Sequence, residues 1–158
     1  MSTPAVQLGI LSTLSINGGT FGSPTWTAVT LVGDLKVDSK WDVAEILIRA
    51  YRLKFKAKTA LDVSITGKLL ASLTNANYTV LLAAMLNDDI VDVMALNGSA
   101  TVNGVRGYRF ECQVVDASED QGPTGVVWND FQLVPVYGGT NAPKSVLVTG
   151  GAAVFTSL

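Results

Sequence analysis

The sequence has no histidine and only one cysteine, Cys112, among its 158 residues. Without histidine the chain cannot build a Ser-His-Asp or Cys-His catalytic arrangement, nor a metal site that uses imidazole. A single cysteine excludes an intrachain disulfide framework, so nothing in the composition requires an oxidising compartment. Cys112 and Phe110 lie two residues apart on the apolar side of a predicted strand, which favours a buried core thiol over a reactive one.

Other signatures of catalysis are also missing. The glycines form neither a dinucleotide-binding fingerprint nor a phosphate-binding loop. Asp88, Asp89 and Asp92 lack the spacing of a calcium loop, and we interpret them as helix-terminating, solvated residues. A glycosidase-like carboxylate pair could be drawn from the acidic residues after position 110, but a solvated turn explains them better. We therefore predict that the protein is not an enzyme and has no cofactor and no metal.

Charge is scarce and unevenly placed. Charged residues make up 15% of the chain, against roughly 25% in typical soluble domains. Residues 1–33 contain none, and residues 131–158 contain only Lys144. Because a monomer normally keeps mixed charge over its surface, this depletion favours self-assembly. The alternative is a compact β domain whose terminal strands are buried in its own core.

The chain also lacks a long apolar run and an export signal. Its longest apolar run, YTVLLAAML, has nine residues, about half the length needed to span a membrane. The N-terminus has no basic region of the kind that opens a signal peptide, so we expect a soluble protein that is not secreted.

The charges that are present divide the chain into two parts. Residues 1–58 carry a net charge of +3 and residues 59–158 a net charge of −5. Such polarity would orient copies stacked on one another, although a solvated basic strand beside a solvated acidic loop would show the same division.

Alternating apolar and polar residues dominate the chain and predict a mainly β fold. One segment, ANYTVLLAAMLN at 76–87, instead predicts a helix that packs on the sheet. Strands on both sides of one helix, without regular β-α alternation, argue against a doubly wound sheet. We predict a single domain, 1–158, built as a β-sandwich or barrel with one flanking α-helix.

The stretch ILIRAYRLKFKAKTALDVSITGKLL at 46–70 predicts a long strand or extended arm. One parity of its first half is largely apolar and includes Leu47 and Phe55, whereas the other becomes cationic from Arg52 to Lys58. Alternating cations can contact nucleic-acid phosphates. The aromatic residues lie on the opposite parity, however, and the pI near 4.9 opposes a nucleic-acid-binding role.

Taken together, residues 9–136 resemble the major tail tube proteins of long-tailed bacteriophages. The resemblance is carried by the order and spacing of loose motifs: GGTFGSPTW, GDLKV, WDVAEILIRAYR, ALDVSITGKLL, YTVLLAAMLNDDIVDVMALNG and GVRGYRFECQVVD. The chain departs from that family in its uncharged end, VLVTGGAAVFTSL, and in the apolar character of WDVAEILI.

The resemblance implies a structural subunit that forms hexameric rings, which stack into the tube through which the genome leaves the capsid. It further implies an arm at about 38–58 that reaches the adjacent ring. The implied partners are other copies of the chain, the tail tip or baseplate, the tape measure and the tail terminator. Genomic DNA would pass through the lumen transiently and non-specifically, and no membrane would be involved. The implied location is the virion tail, with assembly in the host cytoplasm.

Two sets of residues are candidates for these contacts. The candidate inter-ring arm residues are Arg49, Tyr51, Arg52, Lys54, Lys56 and Lys58. The candidate residues of the acidic docking surface or the lumen are Asp62, Glu111, Asp116, Glu119 and Asp120. Because a conduit should not hold DNA, we expect acidic residues rather than the lysine row to face the channel. The remaining alternatives are a capsid decoration or head–tail completion protein, and a surface adhesin, which would need an export signal.

Overall fold

A computed structural model describes residues 12–29, 32–48, 53–70, 76–120, 128–136 and 141–158. The described chain forms nine strands and one helix, which confirms the predicted mainly β class. The elements are β1 Thr13–Asn17, β2 Trp26–Ala28, β3 Val32–Ile48, β4 Leu53–Leu70, α1 Ala76–Asn87, β5 Val91–Leu96, β6 Arg106–Asp120, β7 Trp128–Pro135, β8 Lys144–Thr149 and β9 Ala152–Ser157.

The strands pair antiparallel in the order β2-β1-β5-β6-β7-β4-β3. Strand β6 is the branch point. One of its edges pairs with β5, and the other pairs first with β8, through residues 106–109, and then with β7, through residues 112–120. Strand β9 pairs only with β8. The described strands do not close on themselves, so of the two predicted architectures they do not form the barrel.

Two apolar cores lie on opposite sides of β5, whose five apolar residues are divided between them. Val91, Val93 and Ala95 enter the main core beneath α1, and Met94 and Leu96 enter a smaller core under β8 and β9. The main core also includes Phe110 and Cys112 of β6, as the sequence predicts. Burial, with a smaller contribution from the Asp92 carboxylate, raises the pKa of the Cys112 thiol far above its usual range.

Helix α1 has the bounds predicted from its apolar, uninterrupted sequence. It buries Leu81 and Ala84 against the sheet, whereas Val80 and Leu86 remain exposed. The helix ends where Asp88 adopts a left-handed conformation, with φ of 58°. The Asp89 amide donates a hydrogen bond to the Ala84 carbonyl at 3.0 Å, which closes the last turn. In the described residues no helix has the length and apolar character to cross a membrane.

Candidate assembly interface

The two longest strands form a hairpin that extends beyond the rest of the sheet. Strand β4 pairs with β7 only from Ile65 to Leu70, although it pairs with β3 along almost its whole length. Residues 38–48 and 53–64 therefore pair only with each other among the described strands. We call this two-stranded segment the arm; at 3.3 Å per residue it extends roughly 35 Å.

The described parts of the segment 38–58 that the family resemblance implies, 38–48 and 53–58, lie within the arm. Of the six candidate arm residues, Arg49, Tyr51 and Arg52 lie outside the described residues. Two irregularities shape the hairpin, between Gly33 and Lys36 on β3 and between Trp41 and Val43 opposite Thr59 and Ala60 of β4. The first includes Asp34, which has a positive φ of 48°.

The predicted parity of residues 46–58 is wrong. Read as one strand, the segment would place Leu47 and Phe55 on the same face. The chain instead leaves β3 after residue 48 and returns from residue 53, so that Leu47 lies opposite Lys54 and Ile46 lies opposite Phe55. Since directly opposed residues share a face, Leu47 belongs to the cationic side of the arm. The error arises because the segment comprises parts of two antiparallel strands, Val32–Ile48 and Leu53–Leu70, rather than one strand.

One face of the arm, the lysine face, combines cations with apolar side chains. Its members are Val43, Glu45, Leu47, Lys54, Lys56 and Lys58. Glu45 lies 3.6 Å from the Lys54 ammonium and 3.9 Å from that of Lys56. The Lys58 ammonium lies 5.3 Å from the centre of the Trp41 ring. Exposed ion pairs of this kind contribute at most about 1 kcal/mol, so they orient the lysines more than they stabilise the hairpin.

The opposite face of the arm is apolar and open to solvent. It carries Ala44, Ile46, Phe55 and Ala57, of which Ile46 is 50% and Phe55 45% exposed. Leu47 on the lysine face is 62% exposed. Large apolar side chains on both faces of a protruding hairpin are a mark of an interaction surface rather than of a solvated loop.

The acidic candidates are dispersed rather than gathered. Asp62 is exposed on β4, opposite Lys40 of β3. Asp116 is exposed beside a bulge in β6 and accepts a hydrogen bond of 2.6 Å from the Ser118 hydroxyl.

Glu111 is half-buried, and its carboxylate accepts hydrogen bonds from the side-chain and backbone nitrogens of Asn141, at 2.6 and 3.3 Å. Glu119 and Asp120 end β6, where their backbones pair with β7, and their side chains lie outside the described set. No ion pair among the described residues joins these acids to the arm lysines.

A buried arginine beside the main core holds the subunit together. Arg109 of β6 is only 2% exposed. Its Nη2 donates to the Asp92 carboxylate at 2.7 Å and to the Phe21 carbonyl at 2.8 Å, and its Nε also faces that carboxylate, at 3.2 Å. The interpretation of Asp92 as a solvated helix terminator is wrong, because its carboxylate is held in this ion pair.

The rings of three aromatic residues enclose the Arg109 guanidinium. Its central carbon lies 3.7 Å from the ring centre of Phe21, 5.0 Å from that of Trp26 and 4.8 Å from that of Phe155. Because these rings come from the loop after β1, from β2 and from β9, one guanidinium ties both ends of the described chain to β6.

Asn17 extends this cluster into the loop after β1. Its Nδ2 donates to Asp92 at 2.8 Å, and its Oδ1 accepts from the Gly19 and Thr25 amides, both at 2.8 Å. The glycine-rich segment 17–26 thereby receives a fixed conformation. In the sequence, the cluster is marked by a single arginine between two aromatic residues on a strand. It is the β5–β6 register that brings Asp92 beside this arginine.

No family model and no curated protein matches the chain. Solved structures do match across 96% of it. One is the tail of an empty gene transfer agent particle with C6 symmetry, at 9% identity, a TM-score of 0.67 and 100% of that chain. A second is the virion of a native gene transfer agent particle, which is 7% identical, has a TM-score of 0.64 and is covered over 100% of its chain. A third is the SPP1 tail tube, at 8% identity, 0.65 and 79% of that chain. This protein has the fold of tail tube chains.

The Arg109 cluster predicts a large and specific loss of stability on substitution. Arg109→Met should lower the free energy of unfolding by about 3–5 kcal/mol, because it leaves the Asp92 carboxylate buried without its cation. Urea denaturation of the dilute subunit measures this change. Arg106→Met, at an exposed position three residues earlier on β6, is the matched control and should change stability by about 0.5 kcal/mol or less. Equal effects of the two substitutions would contradict the role assigned to Arg109.

Proposed function

We propose that this chain is the structural subunit of a phage-type tail tube, in which hexameric rings stack to form a conduit for a genome. The observation that carries the proposal is the fold likeness over 96% of this chain and all of a chain in a C6-symmetric tail. The scarcity of charge, with 15% charged residues, suits a subunit whose surface is largely covered by its neighbours.

The arm supports a stacking role. An isolated two-stranded hairpin is at best marginally stable in water, and this one exposes apolar residues on both faces. Contact with a second subunit would bury those residues and supply packing that the arm does not receive from the described part of its own chain. In this proposal the arm joins successive rings, and its cations Lys54, Lys56 and Lys58 contribute to that contact.

The exposed acids support a channel that does not hold its cargo. Each phosphate contact adds affinity, so a wall rich in cations would retain DNA, whereas acidic residues repel the backbone and keep it near the axis. In this proposal Asp62 and Asp116, both exposed, face the lumen. Glu111 is a weaker candidate because Asn141 engages its carboxylate. The lysine face of the arm lies away from the channel.

The proposed role is structural rather than enzymatic. Its partners would be other copies of the chain along the tube, the tail tip or baseplate and the tail terminator at its ends, and the tape measure and transiently the genome inside it. Assembly would take place in the host cytoplasm and end in the virion tail.

Electron microscopy of the concentrated, purified protein tests this function. We expect tubes of uniform width, or six-fold rings that stack when the concentration is raised, because the subunit carries its own stacking element. A closed ring or trimer that never extends would instead indicate a capsid decoration or head–tail completion protein. A monodisperse monomer under every salt and concentration condition would contradict self-assembly altogether.

A further inference from the structure

A groove of about 550 Å³ lies between α1 and the loop that follows β1. Its wall is apolar on the helix side, where Val80 and Ala83 face it, and at Ile90 just beyond the helix. Val80 is 46% and Ile90 54% exposed. Asp89 and Glu111 stand at its edge, and Phe21 forms part of its opposite side. The groove therefore combines apolar side chains on its helix side with acidic side chains.

The end of α1 gives this groove an unusual electrostatic character. A helix C-terminus carries a partial negative charge and is stabilised by cations in its last turn. Helix α1 has no basic residue in that turn and is followed directly by Asp88 and Asp89, both exposed. Neither carboxylate forms an ion pair with another described residue. Two negative charges are thus added where the helix itself disfavours them, although a cation from outside would neutralise them.

We propose that this groove receives the lysine face of the arm of a second copy of the chain. The inference rests on the proposed function and specifies where the stacking arm docks. The lysine face complements the groove. It presents the exposed side chains of Leu47 and Val43 to the apolar wall, and three lysines and one glutamate lie beside them. Leu47 packs against Val80 and Ile90, and Lys54 and Lys56 reach Asp88 and Asp89. The match is apolar to apolar and cation to anion.

Other acids on the described surface fit this role less well. The Glu111 carboxylate is engaged by Asn141, and that of Asp92 by Arg109 and Asn17. Asp116 is exposed, but it lies in β6, away from the residues that line the groove. This revises the acidic docking surface that the sequence places at 111–120 and moves its centre to the end of α1.

The double variant Asp88→Lys/Asp89→Lys tests the docking site. Opposed to Lys54 and Lys56 across the contact, the new lysines should reduce the yield of tubes at least about tenfold, measured by sedimentation and microscopy. The same substitutions place cations at the helix C-terminus, which offsets the cost of a lysine in the left-handed conformation of residue 88, so the thermal midpoint of the dilute subunit should change little. Loss of assembly without loss of stability separates docking from folding.

Compensation and a matched control complete the test. Combining Asp88→Lys/Asp89→Lys with Lys54→Glu/Lys56→Glu and Glu45→Lys reverses both sides and retains the charge pairing within the arm, so tubes should return. Asp34→Lys/Asp130→Lys makes the same change in net charge at two exposed sites elsewhere, one of which, Asp34, also has a positive φ, and it should leave the yield unchanged. Normal tubes from Asp88→Lys/Asp89→Lys, or no recovery in the reversed variant, would overturn the docking site. Failure of the wild-type chain to assemble would instead count against the proposed function.

Discussion

The subunit depends on one constraint: its longest element, the arm, pairs with no further strand among the described residues. Over residues 53–64, strand β4 pairs with no third strand among the described residues. Apolar side chains are exposed on both faces of this part of the hairpin. Backbone pairing between two strands offsets little of the entropy lost on ordering them. The base of the hairpin is secured, because Val63, Ile65 and Leu69 enter the main core. The rest of the arm has no such support among the described residues, and in the proposed function a neighbouring copy supplies it.

The Arg109 cluster serves the opposite purpose, since it fixes parts of the subunit that would otherwise be loosely attached. Strand β2 has three residues, and β8 joins β6 through only four residue pairs. A buried ion pair is weak evidence for net stability, but leaving one partner alone in the core is costly. The pair therefore favours the one arrangement in which Phe21, Trp26 and Phe155 surround the guanidinium. Arg109 is thus one of the few charged residues of this chain, and it acts inside the subunit rather than on its surface.

Features that depend on local sequence patterns could be predicted from the sequence, whereas features that depend on the register between strands could not. The helix at 76–87 and the buried residues Phe110 and Cys112 followed from local patterns, because a run of good helix formers and an apolar parity act within one element. The pairing of Leu47 with Lys54 and the contact of Arg109 with Asp92 depend on register between strands, which a single sequence specifies poorly. The candidate residues Lys54, Lys56 and Lys58 lie on the extended hairpin, but Leu47 shares their face, contrary to the parity read from the sequence. The groove beside α1 could not be foreseen, because it needs the position of the helix on the sheet.

Hydrogen exchange of the arm amides, compared between the dilute subunit and the assembled tube, tests the central claim most directly. Amides in 38–48 and 53–64 should exchange rapidly in the subunit, where the hairpin opens without disturbing the core, while those of β5 stay protected. In the tube the same arm amides should become protected. Arm amides as protected as β5 in the free subunit, or equally unprotected in the tube, would contradict the conclusion that the arm is completed by a neighbouring copy.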